Sequence, residues 1–282
     1  MTPAPRPSWL ELTVGDAAVM VSIPHSGTDI PASIEARLVD RWLARKDTDW
    51  WLESLYDFVP ALGVTRLRTR LSRTVIDANR DPSGVSLYPG QATTELCPST
   101  TFDGEPLYRA GAAVAAGEVD ERRREFFDPY HRTLAEALER LRARHERVVL
   151  LEAHSIRSRV PRLFDGELPH LNLGTNSGRS CAPELADRLA RVCGASGFTH
   201  VVDGRFKGGW TTRHYGQPAK GVHAVQLEIA CRAYVDEPTQ PLTAANWPPP
   251  YDAGRAAPLR QTLDRLLRTC IEYCSERAPQ SP

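Results

Sequence analysis

Cysteine is sparse and unpatterned. Six cysteines in 282 residues are too few for a disulfide scaffold, and none forms a Cys-x-x-Cys pair, which argues against a cysteine zinc site. An excess of one charge is missing too. The 35 Lys plus Arg balance 35 Asp plus Glu, so the basic surplus of a nucleic-acid binder is absent. No apolar run approaches the roughly 18 residues of a membrane span. Met1-Thr2-Pro3-Ala4-Pro5-Arg6-Pro7 lacks the apolar core of a signal peptide. There is no internal repeat, and low complexity is confined to that tail and Pro248-Pro249-Pro250. The expectation is a reduced, cytoplasmic protein with no nucleic-acid or membrane partner.

What is present points to a packed core. Hydrophobic residues make up 41% of the chain, enough to exclude general disorder. The length suits one large α/β domain or two small ones. We expect a single domain over 9–277, between short tails at 1–8 and 278–282.

Three apolar runs organise that domain. Val148-Val149-Leu150-Leu151-Glu152-Ala153-His154 reads as a buried strand that ends on a carboxylate and a histidine. Ala18-Val19-Met20-Val21-Ser22-Ile23 reads likewise and ends in Pro24-His25-Ser26-Gly27. Val225-Gln226-Leu227-Glu228-Ile229 carries a carboxylate inside an apolar segment. Ligands collect at the carboxyl ends of strands in open α/β sheets. Two histidines at such ends suggest a metal held between neighbouring strands.

Around these runs, Ser8–Val14 reads as an edge strand or hairpin. Helical spacing predicts helices over Ser33–Ala44 and from Asp47 through Leu62, with Thr48 or Asp49 as cap and Gly63 as the stop. Val64–Leu67 and Thr74–Asp77 are strand candidates. Glu118–His145 is the longest helical stretch, broken near Asp128-Pro129. Pro183–Val192 and Leu259–Tyr273 read as helices, and Arg157–Ser180 as loop. Alternating strands and helices predict an α/β fold with a mixed, mainly parallel sheet. Tyr88–Pro106 and Gly204–Tyr215 are the loops expected to close over a ligand.

Zinc hydrolases hold the metal with three ligands drawn from His, Asp and Glu and leave a position for water. His25 and His154 supply two. The carboxylate is expected soon after the first strand. Asp49 is preferred, with Asp47 and Glu53 as rivals, since Asp49 and Glu53 would share a helix face. Cobalt, manganese or iron suits such a set as well as zinc. Glu152 shares a strand face with His154, and two readings stay open for it: orienting a ligand or only pairing with an Arg. The cysteines, Trp50, Trp51 and His223 read as core or structural residues.

Several blocks in order resemble the N-formylglutamate amidohydrolase family. They are Ser22–Gly27, Asp47–Trp50, Ser72–Arg80, Leu87–Gln91, Glu152–Ser158, Gly204–Gly209 and His223–Glu228, and the likeness runs from about Val19 to Glu237. The resemblance implies hydrolysis of N-formyl-L-glutamate to formate and glutamate, a step of histidine degradation. It also implies a three-layer sandwich similar to zinc carboxypeptidases and the aspartoacylase group, and one Zn2+ per chain. Carried over by motif, His25 and His154 are ligands, Asn79-Arg80 a carboxylate clamp and Glu228 the base. The carboxypeptidase pattern places a Glu three residues after the first His, where this chain has Thr28, so the carboxylate ligand must come from elsewhere.

The chemistry fits these residues. A metal ion brings the pKa of bound water toward ~7 and polarises a carbonyl oxygen. Glu228, flanked by apolar residues, is expected to have a raised pKa suited to moving protons near neutrality. A dicarboxylate substrate needs several cations, and Arg meets a carboxylate with two bonds. Arg73, Arg80, Arg205 and Arg213 are the candidates, with Lys207 as a point charge and His214 as a further substrate contact. Two other readings stay open: the same machinery on another N-acyl amino acid or small amide, and a non-catalytic small-ligand-binding protein. A monomer or small homo-oligomer is expected.

Overall fold

The computed structural model describes residues 6–85, 90 and 93–276. Most of the expected tails lies outside that set. So does the Leu87–Gln91 block except Gly90. In chain order the elements are β1 (Leu10–Thr13), β2 (Val19–Ile23), α1 (Ala32–Glu35), α2 (Leu52–Leu55), β3 (Thr65–Thr69), α3 (Ala116–Arg122), α4 (Asp128–Arg142) and β4 (Val148–Ile156). Then follow β5 (Leu171–Gly174), α5 (Pro183–Gly194), β6 (His200–Val202), α6 (Trp210–Tyr215), β7 (Val222–Ala230) and α7 (Ala253–Ser275).

One seven-stranded sheet runs in the order β1-β3-β2-β4-β7-β5-β6. Strands β3, β2, β4 and β7 are mutually parallel. β1 and β5 pair antiparallel with β3 and β7, so the sheet is mixed and mainly parallel, as expected. Every residue of β2 and β4 is buried, which requires cover on both faces. Alternation assigns the cover. Val19, Val21, Val149, Leu151, Val225 and Leu227 pack with α5 and α7 in one core. Met20, Leu150 and Ala224 pack with Leu134, Leu138 and Leu141 of α4 on the other side. These are the three layers. Among the described residues no helix is long and apolar enough to cross a membrane.

Four expectations need correction. The helix over Ser33–Ala44 is only the single turn α1 plus a 3-10 turn at Leu43–Arg45. Between them the backbone pairs with 107–109: Val39 N donates to Leu107 O and Arg109 N to Arg37 O. The helix expected from Asp47 is broken by Trp51, whose φ of 64° is left-handed, and only α2 and a 3-10 turn at Val59–Leu62 form. Gly63 does end that stretch, at φ 68°. Thr74–Asp77 is not a strand. Ser72 Oγ accepts from Thr74 N, Val75 N donates to Ser72 O, and the chain turns Asp77 toward His25. Conversely, Leu171–Gly174 lies inside a stretch expected to be loop, yet it forms β5. The long helix is interrupted as expected, by a π turn at Arg123–Phe127 just before Pro129.

That helix aims His131 at the sheet's polar end. Its Nε2–H donates to Ala78 O at 2.8 Å, and the Tyr215 hydroxyl lies 3.1 Å from Nδ1. Burial pushes the imidazole down to about 3, so it is neutral when folded, whereas the unfolded chain protonates it near 6.5. Its contribution is therefore complete above pH 6.5 and declines as pH falls from 6.5 toward 3, by at most about 1.4 kcal/mol per pH unit. Urea melts of His131→Gln should lose less stability than wild type between pH 7 and pH 5. Equal losses would contradict a neutral buried His131.

Candidate active site

The carboxyl ends of β2, β4 and β7 converge. Register sets His154 beside Glu228 and Glu152 beside Gln226, all four on the α4 side of the sheet. His25 follows β2 directly, and its ring centroid lies 4.8 Å from that of His154. Asp49 sits on the loop that the broken helix leaves behind. Its Oδ2 accepts from Ser155 N at 3.0 Å and lies 3.2 Å from His154 Nδ1 and 3.9 Å from His25 Nδ1. His25, Asp49 and His154 are all buried, and their donor atoms lie within 4.8 Å of one another.

The rival carboxylates are elsewhere. Asp47 accepts from Phe102 N at 2.6 Å and pairs with Arg157 at 3.1 Å. Among the described residues, neither Asp47 nor Glu53 joins the His–Asp–His group. No cysteine joins it either, and all six thiols are free, five of them buried.

Does this group fit a cation? His25 donates Nε2–H to Asp77 at 2.7 Å, which leaves buried Nδ1 as a lone-pair site with no hydrogen-bond partner. A carboxylate behind an imidazole is how metal-binding histidines are commonly oriented. His154 has the same surroundings: Asp49 at Nδ1, and Glu152 Oε1 3.4 Å from Nε2. Burial opposes charge on His154, yet Asp49 and Glu152 together push it up to about 10. The pocket favours positive charge at this spot, whether a proton or a metal ion. The donor set fits a divalent cation.

Other groups frame the cleft. The Arg73 guanidinium bridges Asp77 at 2.7 Å and Asp49 at 3.4 Å. Arg80, His25 and Arg73 hold Asp77 well below the usual carboxylate range despite its burial. Arg80 reaches Thr94 O at 3.1 Å and Asp77 at 3.5 Å. Burial pushes Glu228 up to about 7, and Gln226 donates to its Oε2 at 2.9 Å. Gln226 Oε1 in turn accepts from Gly209 N at 2.7 Å. Asn79 Nδ2 lies 3.0 Å from His154 Nε2, and Asn79 Oδ1 accepts from Thr211 N. Gly209 approaches so closely that a Cβ there would collide with the Asn79 amide.

His25, Arg73, Asn79, Arg80, His154, Arg205 and Glu228 thus line one cleft. Arg205 also donates to Leu163 O at 2.8 Å. Lys207, Arg213 and His214 are not among its described lining residues: Lys207 is exposed, Arg213 donates to Gly208 O, and His214 stacks on Trp210. His223 accepts from Ala182 N, away from the cleft. Sequence reasoning missed three participants. Gln226 lies two before Glu228, so strand alternation was the signal. Asp77 lies four after Arg73 in a segment read as a strand. Phe102 lies in the Tyr88–Pro106 loop expected to close over a ligand, but nothing in the sequence singled out that residue within it.

Fold and site together define a class, an α/β domain whose titratable groups gather at the carboxyl ends of its parallel strands to act on a small ligand. The N-formylglutamate amidohydrolase family profile matches residues 17–235. N-formylglutamate deformylases of Pseudomonas aeruginosa and Pseudomonas putida are 47% and 44% identical over 264 residues, 93% of this chain and 96% of each relative. The crystal structure of N-formylglutamate amidohydrolase from Ralstonia eutropha JMP134 is similar with a TM-score of 0.76 at 26% identity, covering 94% of this chain and 98% of that one. The chain belongs to the N-formylglutamate amidohydrolase family.

Proposed function

We propose that the protein hydrolyses N-formyl-L-glutamate to formate and L-glutamate, with a divalent cation, zinc by default, held by His25, Asp49 and His154. The supporting observation is that one cleft is lined by a carboxylate of raised pKa, by three guanidiniums and by both histidines of a buried His–Asp–His group, with Asp49 directly behind them. The two close relatives carry the name of that activity. The cation's part is Lewis acidity, polarising the formyl oxygen and making water a better nucleophile. Glu228 takes the proton of the attacking water and delivers it to the amide nitrogen as the C–N bond breaks. Gln226 Nε2 donates to Glu228 Oε2 and so holds the carboxylate in one orientation. Arg73 adds positive charge where the carbonyl oxygen becomes negative. Arg80 and Arg205 take the two substrate carboxylates, and Asn79 fixes the substrate between them and His154. Lys207, Arg213 and His214 carry no step.

The test is formate release from N-formyl-L-glutamate, beside N-acetyl-L-glutamate and N-formyl-L-methionine, before and after chelation and with metal restored. Release from formylglutamate well above the other two, abolished by the chelator and recovered with zinc, is the expected result. Release that survives complete metal removal would remove the cation from the reading. Equal turnover of formylmethionine would remove the second carboxylate clamp.

A further inference from the structure

One wall of the cleft has no role in the reaction as drawn above. Residues 99–107 fold into a tight hairpin, with Leu107 N donating to Ser99 O and Thr101 N to Glu105 O, each at 2.9 Å. Gly104 takes the turn at φ 91°. The hairpin puts Phe102 into the cleft, 6% exposed, with its ring centroid 4.7 Å from the Arg73 guanidinium carbon. Phe102 shares a small apolar cluster with Ile156 and Leu163, which also line the cleft.

The hairpin is staked by charge. Lys46, 5% exposed, reaches Asp103 at 2.7 Å and Glu105 at 2.6 Å. Arg157 bridges Asp47 at 3.1 Å and Asp103 at 2.9 Å. Asp47 accepts the backbone N–H of Phe102 itself. A buried lysine is stable only with its charge satisfied, so these pairs fix one position of the tip. The stakes also have meaningful origins. Lys46 and Asp47 precede Asp49 by three and two residues, and Arg157 follows His154 by three. The ring is therefore anchored to the same two segments that supply the proposed metal ligands.

In the proposed reaction the scissile carbonyl lies at the His25–Asp49–His154 end, and the carboxylates lie toward Arg80 and Arg205. Phe102 lies over the Arg73 guanidinium, which touches Asp49, and it is on that contact that we place the ring beside the carbonyl end. We infer that Phe102 is a specificity-determining residue that limits the acyl group to formyl. Its ring fills the space beyond the carbonyl carbon, where a formyl group carries hydrogen and an acetyl group a methyl. One methyl without room shifts selectivity roughly 10–200-fold. This rests on the deformylase reading.

The experiment measures kcat/KM for N-formyl-, N-acetyl- and N-propionyl-L-glutamate with the full chain, metal-loaded, as wild type, Phe102→Ala and Phe102→Leu. The acetyl-to-formyl ratio should rise at least about tenfold in Phe102→Ala and less in Phe102→Leu. Phe102→Leu keeps an apolar tip and decides the matter if Phe102→Ala does not fold. A ratio within twofold of wild type in the folded variants overturns the inference while leaving the deformylase reading intact. Wild type that releases no formate from N-formyl-L-glutamate overturns both.

Discussion

His154→Ala should lose the bound divalent ion and formate release together. Metal content per chain should fall to background, and kcat/KM should fall by roughly three orders of magnitude or more. The reason is local. His154 is the centre of the cluster, touched by Asp49, Glu152 and Asn79 at 3.4 Å or less. Without the imidazole, buried Asp49 and Glu152 face each other with no cation between them. Elemental analysis of protein purified without chelator checks the first half, and a formate assay checks the second. A folded variant with wild-type metal content would refute the ligand set.

Glu228→Gln should separate the two properties. The amide is nearly isosteric, and Gln226 keeps an oxygen to donate to. Metal content should match wild type, and the melting temperature should hold or rise, because a neutral side chain replaces a carboxyl that burial disfavours when charged. Turnover should drop roughly 10²–10⁴-fold, the usual contribution of a positioned acid–base group. The loss should fall mainly on kcat, since Glu228 is not assigned a substrate carboxylate. Near-normal kcat would reassign the base, and Glu152, the other carboxylate beside His154, would be tested next.

The strands that carry this chemistry were legible because they are buried on both faces and read as unbroken apolar runs: β2, β4 and β7. Their endings, His25, His154 and Glu228, were legible for the same reason. The carboxylate of the proposed ligand set was not. Spacing treats Asp47, Asp49 and Glu53 as positions on one helix, and a helix would have grouped Asp49 with Glu53. Trp51 at φ 64° breaks that helix and turns Asp49 inward alone. The departure depends on tertiary partners. Trp51 donates to Pro249 O, almost two hundred residues away in sequence, and no local pattern records that bond. β5 was missed because Asn172 and Gly174 interrupt its apolar pattern. Asn172 is there to hold the Phe206 carbonyl, next to Arg205, and Gly174 lets the 206–208 backbone pass close by. In both places a requirement of the site outweighed local propensity.

The loop bearing Asp49 is tied down from the far end of the chain. Trp42 donates to Trp247 O at 2.7 Å, Trp247 to Lys46 O at 2.8 Å and Trp51 to Pro249 O at 3.0 Å. Tyr234 adds its hydroxyl to Trp50 O at 2.9 Å. During synthesis from the amino terminus, His25, Asp49, His154 and Glu228 all emerge before the segment that fixes the loop between them. A nascent chain with all four of these residues already translated still lacks the clasp that sets their spacing. The pocket therefore takes its final geometry only once Trp247 and Pro249 have been made and have closed on the 42–51 segment.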